Sequence, residues 1–252
     1  MKKRKSLSLD EIASYVEGNI GVFHANRLKS LQGLKLDEIL SRKNPYLFKA
    51  KNILTASDFV KAILDAFLSS QEETIFGDFL EGLAIYVCNM VHGGRKSSSE
   101  GIDLDFERDD ARYIVAIKSG PNWGNSSQIR KMKDDFKRAR KILGGNASAV
   151  KIVAVNGCCY GRDSKPDKGD YLKLCGQRFW EFVSNDETLY TRIIEPLGYK
   201  SKERNEQFLI AYSNLINEFT LKFIMDFCAK GRIDWEGIVR FNSSAQKIEK
   251  KA

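Results

Sequence analysis

Residues 101–118 read GIDLDFERDDARYIVAIK, and this stretch decides the fold. Apolar and charged residues alternate before the pair Asp109-Asp110, and apolar residues again occupy every second position after it. Alternation on both sides of a short polar turn is typical of a β-hairpin. With the turn centred on this pair, the pattern predicts that Phe106 faces Tyr113 and that Leu104 faces Val115.

The polar face of this hairpin brings acids and a lysine together. Asp103, Asp105 and Lys118 share it, and Lys118 is diagonal to Asp103, at roughly 7–8 Å between Cα atoms. Carboxylate oxygens suit Mg²⁺, and a nearby ammonium can orient an attacking water and offset phosphate charge. These are the needs of phosphodiester hydrolysis. Alternation alone, however, more often indicates a hairpin with a solvated charged face.

Helices are predicted before the hairpin. Apolar spacing indicates a helix over residues 9–32, with an interruption near Gly18 and Gly21. Asn44-Pro45 breaks the pattern, after which a helix is expected from residues 57–58 to 67 and a separate one over residues 76–91.

Helices and strands are both predicted after the hairpin. The residues GPNWGNS at 120–126 form a loop, and Ser126 or Ser127 is expected to cap a helix that ends near residue 143. Strands are expected at 150–155, between Gly145 and Gly157, and at 171–175. An aromatic helix follows from about residue 179, and a long helix spans 205–228. The whole pattern favours one α/β domain with helical flanks over two domains.

Composition excludes several classes of protein. The chain has 252 residues, 42% of them hydrophobic, which is enough for a packed core. Five cysteines without a CxxC pair and only two histidines exclude a zinc finger or an HExxH site, and they indicate a reducing, cytoplasmic setting. The start MKKRK is not followed by an apolar signal segment, and we expect no apolar run of membrane-spanning length. The net charge of +8 favours a polyanionic partner.

Further segments extend the hairpin into a longer pattern. The segment AIKSGPNWGN occupies 116–125. The others are NPYLF at 44–48, FGDFLE at 76–81, VAVNG at 153–157, YGR at 160–162, GQRFW at 176–180 and a late tryptophan, Trp235. This ordered set resembles the PD-(D/E)XK nuclease superfamily, in particular the type II restriction endonucleases that cut interrupted GG…CC palindromes.

The resemblance implies a fold. It implies a restriction-endonuclease-like α/β core, in which helices flank a mixed central sheet, with helical regions at both ends of the chain. On this basis residues 1–252 are interpreted as a single endonuclease domain. Its parts are a helical N-terminal region over 1–57, a catalytic core over 58–200 and a C-terminal helical region over 201–252.

The resemblance also implies a site, position by position. Asp103 is the metal-binding aspartate, Lys118 the catalytic lysine, and Glu81 the helix glutamate that helps to hold Mg²⁺ or its water. The backbone carbonyl of Ile117 is a further metal ligand on the same grounds, and Asp105 is an additional candidate ligand.

Two positions depart from the superfamily pattern. Ile102 replaces the usual proline, and Ala116 replaces the acid two residues before the lysine. Because alanine cannot bind a metal, a second carboxylate must come from elsewhere. The hypotheses, in order, are Glu81, then Asp105, and then the pair at 134–135, which is also expected to form local ion pairs.

A DNA-facing surface is predicted after the lysine. The loop at 119–128 is rich in hydrogen-bond donors and leads into a helix N-terminus, and the loop at 160–169 is basic. The candidate DNA contacts are Asn122, Asn125, Ser127, Gln128, Arg130, Lys131, Arg162 and Lys165. Trp123 lies among them, but core packing is slightly favoured for it.

The sequence therefore predicts a type II site-specific deoxyribonuclease. The expected activity is Mg²⁺-dependent hydrolysis of double-stranded DNA at a short, GGNCC-like palindrome by a homodimer, with a cognate DNA methyltransferase acting on the same site. A DNA repair or structure-selective nuclease remains an alternative. A basic DNA-binding module that has lost its metal site is a second one, motivated by Ala116.

Overall fold

The structure is a computed structural model that describes residues 8–144 and 150–245. The MKKRK start and Gly145, both used in the sequence interpretation, lie outside these ranges. The helices are α1 Leu9–Gln32, α2 Leu36–Arg42, α3 Pro45–Ala50, α4 Ala56–His92, α5 Ser126–Gly144, α6 Gln177–Ser184, α7 Leu189–Arg192, α8 Ile194–Leu197, α9 Ser201–Phe227 and α10 Trp235–Ser243.

The strands form a mixed sheet. They are β1 Arg95–Lys96, β2 Leu104–Arg108, β3 Ala111–Lys118, β4 Lys151–Cys158 and β5 Leu172–Cys175, in that spatial order. The first three strands are antiparallel, whereas β3, β4 and β5 are parallel. A separate small pair joins β6 Cys228–Ala229 to β7 Arg232–Ile233. Helices flank the mixed sheet, so the α/β class expected from the sequence is confirmed.

The hairpin has the register that the alternation predicts. Phe106 pairs with Tyr113 and Leu104 pairs with Val115. At the turn Asp109 and Asp110 have φ values of +50° and +56°. Aspartate tolerates this left-handed region because its short side chain can form local hydrogen bonds.

Both faces of this hairpin are covered, so it does not present a solvated face. On one side Ile114 and Ala116 pack with Phe136 of α5. On the other, Phe106 stacks on His92 of α4 and contacts Phe182 of α6. Asp103, directly before β2, and Lys118, at the end of β3, nevertheless keep partly exposed side chains.

Two predicted helix breaks are wrong. Helix α1 continues through Gly18 and Gly21, where the cost of about 1 kcal/mol for each glycine is offset by a buried stripe of Ile12, Val16 and Ile20. Helix α4 continues from 56 to 92 as one element. The residues between the two predicted helices, LSSQEETI at 68–75, contain neither glycine nor proline, so nothing there ends the helix.

Helix α4 also corrects the expectation about apolar length. Its 37 residues include an 18-residue window of mean hydropathy 1.3, which by length and composition alone could cross a membrane. A core helix of a soluble protein passes the same test. Phe59, Ile63 and Leu83 of α4 are fully buried, as expected for a helix that contributes to a core.

The chain divides into two compact units. The first comprises Met1–Gly21 and Phe76–Tyr199, and it contains the mixed sheet. The second comprises Val22–Ile75 and Lys200–Ala252. Its core includes Phe59 stacked on Phe223, with 4.7 Å between ring centroids. Two of the boundaries between these units fall within α1 and α4. The organisation as a single domain stays a prediction.

Candidate active site

Asp103 lies directly before β2 and is fixed to β3. Its backbone N–H donates to the carbonyl of Val115 at 2.9 Å. Its carboxylate Oδ2 accepts a hydrogen bond from the backbone N–H of Ile117 at 2.7 Å. The carboxylate is therefore held against β3 next to Lys118. The contact uses the N–H of Ile117, so the role of the Ile117 carbonyl as a metal ligand stays a prediction.

Lys118 is the last residue of β3, and its ammonium reaches the same carboxylate. Nζ lies 3.8 Å from Asp103 Oδ2, with side chains that are 32% and 23% exposed, respectively. The Lys118 carbonyl accepts a hydrogen bond from Cys159 N–H at 2.9 Å, which holds the strand end against β4. The hairpin register thus brings the two side chains together, and both remain open to a substrate.

Glu81 projects from α4 into the same charge cluster. Burial raises its pKa above the usual value, and the negative charge of Asp103 raises it further. The positive charges of Lys96 and Lys118 act in the opposite direction. The geometry places Glu81 in the same cluster, because its ion-pair partner Lys96, 3.5 Å away, pairs in the sheet with Leu104, the residue after Asp103.

The donor set fits a hard divalent cation. A cation shared by Glu81 and Asp103 would relieve the repulsion that raises the Glu81 pKa. Within the described residues, no group of three or more His, Cys, Asp or Glu side chains is arranged for a metal. Two carboxylates are nevertheless compatible with Mg²⁺, because this ion usually keeps several waters and needs few protein ligands.

The other candidate carboxylates have partners elsewhere. Asp105 is buried and accepts hydrogen bonds from Arg112 Nε at 3.0 Å and Nη2 at 2.5 Å. Asp134 pairs with Lys137 at 3.9 Å. Asp135 is buried beside Arg138, with 3.3 Å between Oδ1 and Nη2. The local ion pairs expected for the last two are present, and Lys118 pairs instead with Asp103.

Asn156 is a site-adjacent residue that the sequence interpretation missed. It lies opposite Ala116 in the parallel register of β3 and β4, and it is only 1% exposed. Its Nδ2 donates to the Ala116 carbonyl at 3.2 Å, and its Oδ1 accepts from Trp123 Nε1 at 3.1 Å. The signal was present as one amide inside the apolar run VAVNG. Trp123 packs against the core, which is the position that the sequence favoured for it.

Helix α5 is capped by Asn125, not by Ser126 or Ser127. The Asn125 Oδ1 accepts from the N–H groups of Ser127 and Gln128, each at 3.1 Å. Gln128 Oε1 in turn accepts from the Asn125 N–H at 2.9 Å. This reciprocal capping satisfies N–H groups that would otherwise be available to an anion. The remaining candidate contacts in this segment are exposed, namely Asn122, Arg130 and Lys131.

The second candidate DNA-binding loop is cross-linked by one aspartate. Arg162 and Lys165 are exposed. Between them, Asp163 Oδ1 accepts from the Lys165 N–H and from Lys168 Nζ, both at 2.9 Å. A cavity of about 590 Å³ beside this loop is lined in part by Arg162 and Arg178. The loop therefore presents cationic side chains on a backbone that is held in place.

The chain that carries Asp103, Lys118 and Glu81 matches the model of a known family. The family model for the type II restriction endonuclease EcoO109I matches residues 10–205, well over half of the 252-residue chain, and that range includes all three residues. The chain belongs to the type II restriction endonuclease EcoO109I family. No curated protein sequence matches the chain at a significant level.

Membership in the EcoO109I family establishes the general activity. The chain is a nuclease of the restriction endonuclease kind, and its substrate is DNA. Restriction endonucleases of this kind generally use a divalent metal. The sequence-based recognition of a restriction endonuclease is thus confirmed, whereas the assignments to the PD-(D/E)XK superfamily and to the GG…CC subgroup stay predictions.

Proposed function

We propose that this chain is a Mg²⁺-dependent, site-specific endonuclease of the PD-(D/E)XK superfamily that cuts duplex DNA at a short, GGNCC-like palindrome. The observation that carries the proposal is the contact between Lys118 Nζ and Asp103 Oδ2 at 3.8 Å, with Glu81 coupled electrostatically to the same aspartate. Carboxylates and an ammonium at one solvent-accessible point are the chemistry that phosphodiester hydrolysis needs.

Each residue has a distinct role in this proposal. Asp103 and Glu81 would hold the ion, and the Ile117 carbonyl would add a neutral oxygen ligand. A bound Mg²⁺ supplies Lewis-acid polarisation of the scissile phosphate. Lys118 orients the attacking water and offsets the negative charge that develops on the phosphate. Asp105 is assigned no metal, because Arg112 engages both of its oxygens.

The proposed DNA contacts are the exposed polar and basic side chains of two segments. Asn122, Arg130 and Lys131 follow the catalytic lysine in sequence, and Arg162 and Lys165 lie on the cross-linked loop. Asn125 and Gln128 are less suited to read bases, because capping hydrogen bonds already engage their side-chain oxygens, whereas at Ser127 only the backbone N–H is engaged. A palindromic target implies a two-fold homodimer. We further propose a cytoplasmic protein with a cognate methyltransferase.

Digestion of a plasmid in Mg²⁺ or in excess chelator tests the proposal. We expect discrete fragments in Mg²⁺ and intact plasmid in chelator, and sequencing of the fragment ends would identify the target. The Asp103→Asn variant is the control for a contaminating nuclease. Smearing or structure-selective nicking would favour a repair nuclease. Binding without cutting would favour a non-catalytic module, as Ala116 suggests. A monomeric mass by light scattering, both free and on target duplex, would contradict the homodimer.

A further inference from the structure

Lys96 lies at the edge of the mixed sheet, next to the candidate active site. It belongs to the outermost strand β1 and pairs with Leu104 in the antiparallel register. The following residue, Ser97, donates its backbone N–H to the carbonyl of Asp103 at 3.2 Å. The backbone that carries Lys96 is thus attached directly to the backbone that carries the proposed metal-binding aspartate.

The side chain of Lys96 makes an ion pair with Glu81. Nζ lies 3.5 Å from Oε1, and the lysine side chain is 74% exposed whereas the glutamate side chain is 26% exposed. A cavity of about 590 Å³ beside this pair is lined in part by Tyr15 and Arg95. The lysine therefore rests on Glu81 from the solvent side, with open space next to it.

Each of the two proposed metal-binding carboxylates has a lysine partner. Lys118 accompanies Asp103, and Lys96 accompanies Glu81, so two carboxylates face two ammonium groups. A divalent cation bound by Glu81 would lie close to the Lys96 ammonium and repel it. Because most of the lysine side chain is exposed and its stem has four flexible bonds, it can turn away at little cost.

We propose that Lys96 is the counter-ion of Glu81 in the metal-free protein and a contact to the DNA backbone once a divalent cation takes the glutamate. The inference rests on the proposed function for the role of Glu81. An ammonium released at the rim of a nuclease site would find the phosphates of the substrate as its strongest available partners. Lys96 would then exchange the carboxylate of Glu81 for a phosphate of the DNA when the divalent cation binds.

A simple surface salt bridge predicts a different behaviour. Exposed ion pairs contribute little to folding, so if Lys96 only formed a surface pair and Glu81 bound no cation, loss of the lysine would leave both cation binding and DNA binding unchanged. The exchange proposed here instead predicts two effects of opposite sign: tighter binding of the cation and weaker binding of DNA. A variant that is merely misfolded would lose both.

The first measurement is Mn²⁺ binding to the free protein by electron paramagnetic resonance, without DNA. We expect Lys96→Gln to bind Mn²⁺ about three- to thirty-fold more tightly, the range that Coulomb's law gives for removal of one nearby charge in a largely aqueous environment. Lys35→Gln is the matched control, since Lys35 is 75% exposed and pairs only weakly with Glu38 at 4.0 Å. In a Glu81→Gln background the gain should disappear.

The second measurement is the salt dependence of duplex DNA binding, with Ca²⁺ in place of Mg²⁺. Between about 50 and 200 mM salt, the slope of log affinity against log salt should be shallower by about one for Lys96→Gln, because one phosphate contact is lost. Lys35→Gln should keep the slope of the unmodified protein.

Each part of the inference can fail separately from the proposed function. Unchanged or weaker Mn²⁺ binding by Lys96→Gln would overturn the counter-ion role, and an unchanged salt slope would overturn the phosphate contact. If the unmodified protein bound Mn²⁺ but cut no DNA, the proposed endonuclease activity would be wrong, yet tighter Mn²⁺ binding by Lys96→Gln would still support the pairing with Glu81.

Discussion

Trp123 Nε1 donates a hydrogen bond to Oδ1 of the buried Asn156, at 3.1 Å. This contact ties the loop after the proposed catalytic lysine to the neighbouring parallel strand. The same amide donates to the Ala116 carbonyl, at the position where the superfamily pattern has an acid. The Lys118 ammonium lies 5.5 Å from the centroid of the Trp123 ring. Asn156 therefore holds in place the aromatic wall against which the lysine rests.

Asn156→Leu should destabilise the protein by about 1–3 kcal/mol, because it leaves the partly buried Trp123 Nε1 donor without a partner. Cleavage should fall more than duplex binding, since the ring beside Lys118 loses its anchor. Urea denaturation measures the first effect. Trp123→Phe removes the unpaired donor, so the double variant should be clearly more stable than the sum of the single losses implies. Strict additivity would contradict the role of this hydrogen bond.

Asp103→Asn and Lys118→Ala should each reduce cleavage by roughly a hundred- to ten-thousand-fold or more. The first change weakens metal binding, and the second removes water orientation and phosphate charge neutralisation. Binding of duplex DNA should survive in both variants. The measurement is plasmid cleavage beside a gel-shift assay, with circular dichroism as the check on folding. Near-normal cutting by either folded variant would show that the site has been assigned to the wrong residues.

Glu81→Gln should raise the Mg²⁺ concentration for half-maximal cleavage and lower the maximal rate. Asp105→Asn serves as the comparison, because it breaks a buried pair with Arg112 and should cost about 3 kcal/mol of stability without changing the Mg²⁺ dependence. A Mg²⁺ titration of cleavage separates the two variants. The assignment fails if Glu81→Gln keeps the normal Mg²⁺ requirement while folded Asp105→Asn or Asp135→Asn is inactive.

Ala116→Glu should lower Tm in the presence of chelator and regain part of that loss in Mg²⁺. Ala116 is 1% exposed and packs with Met132 and Phe136, so a carboxylate there is buried at high cost unless a cation pairs with it. Ala116→Gln has the same size without the charge, and its Tm should not respond to Mg²⁺. Equal responses of the two variants would mean that position 116 is not near a metal.

Asp163→Asn should lower the stability of the protein near neutral pH. Burial disfavours the charged form of Asp163, but hydrogen bonds from Lys168 and Lys165 outweigh it, so the pKa lies below its usual value. An acid with a lowered pKa contributes stability that is present above the unfolded-state pKa and is lost as pH falls through the folded-state pKa. The Tm difference from the unmodified protein should therefore be largest above about pH 4 and should shrink on acidification.

Asp134→Asn is the control for this pH series, because Asp134 is 57% exposed and its partner Lys137 is 3.9 Å away. It should change Tm little at any pH. A Tm difference for Asp163→Asn that stays constant down to acid pH would indicate that the charge of Asp163 does not stabilise the loop.

The hairpin and its polar pair could be predicted from the sequence alone. Alternation with a period of two is a local property, and the pair Asp109-Asp110 defined the turn, so the register that joins Asp103 to Lys118 followed directly. The ordered set of motifs also led to the recognition of a restriction endonuclease, which the family match supports. Local patterns were less reliable where packing decides: the glycines of α1 did not interrupt it, and α4 did not break after Phe67.

Only the tertiary structure decided how each acid is used. Asp105 shares the hairpin face with Asp103, but Arg112 engages both of its oxygens. Glu81 is in the charge cluster because α4 packs against the sheet, and Lys96 joins it because β1 is the outermost strand. The physical reason is that pKa values, ion pairs and metal ligation depend on distances of a few ångström between side chains far apart in sequence, and packing sets those distances.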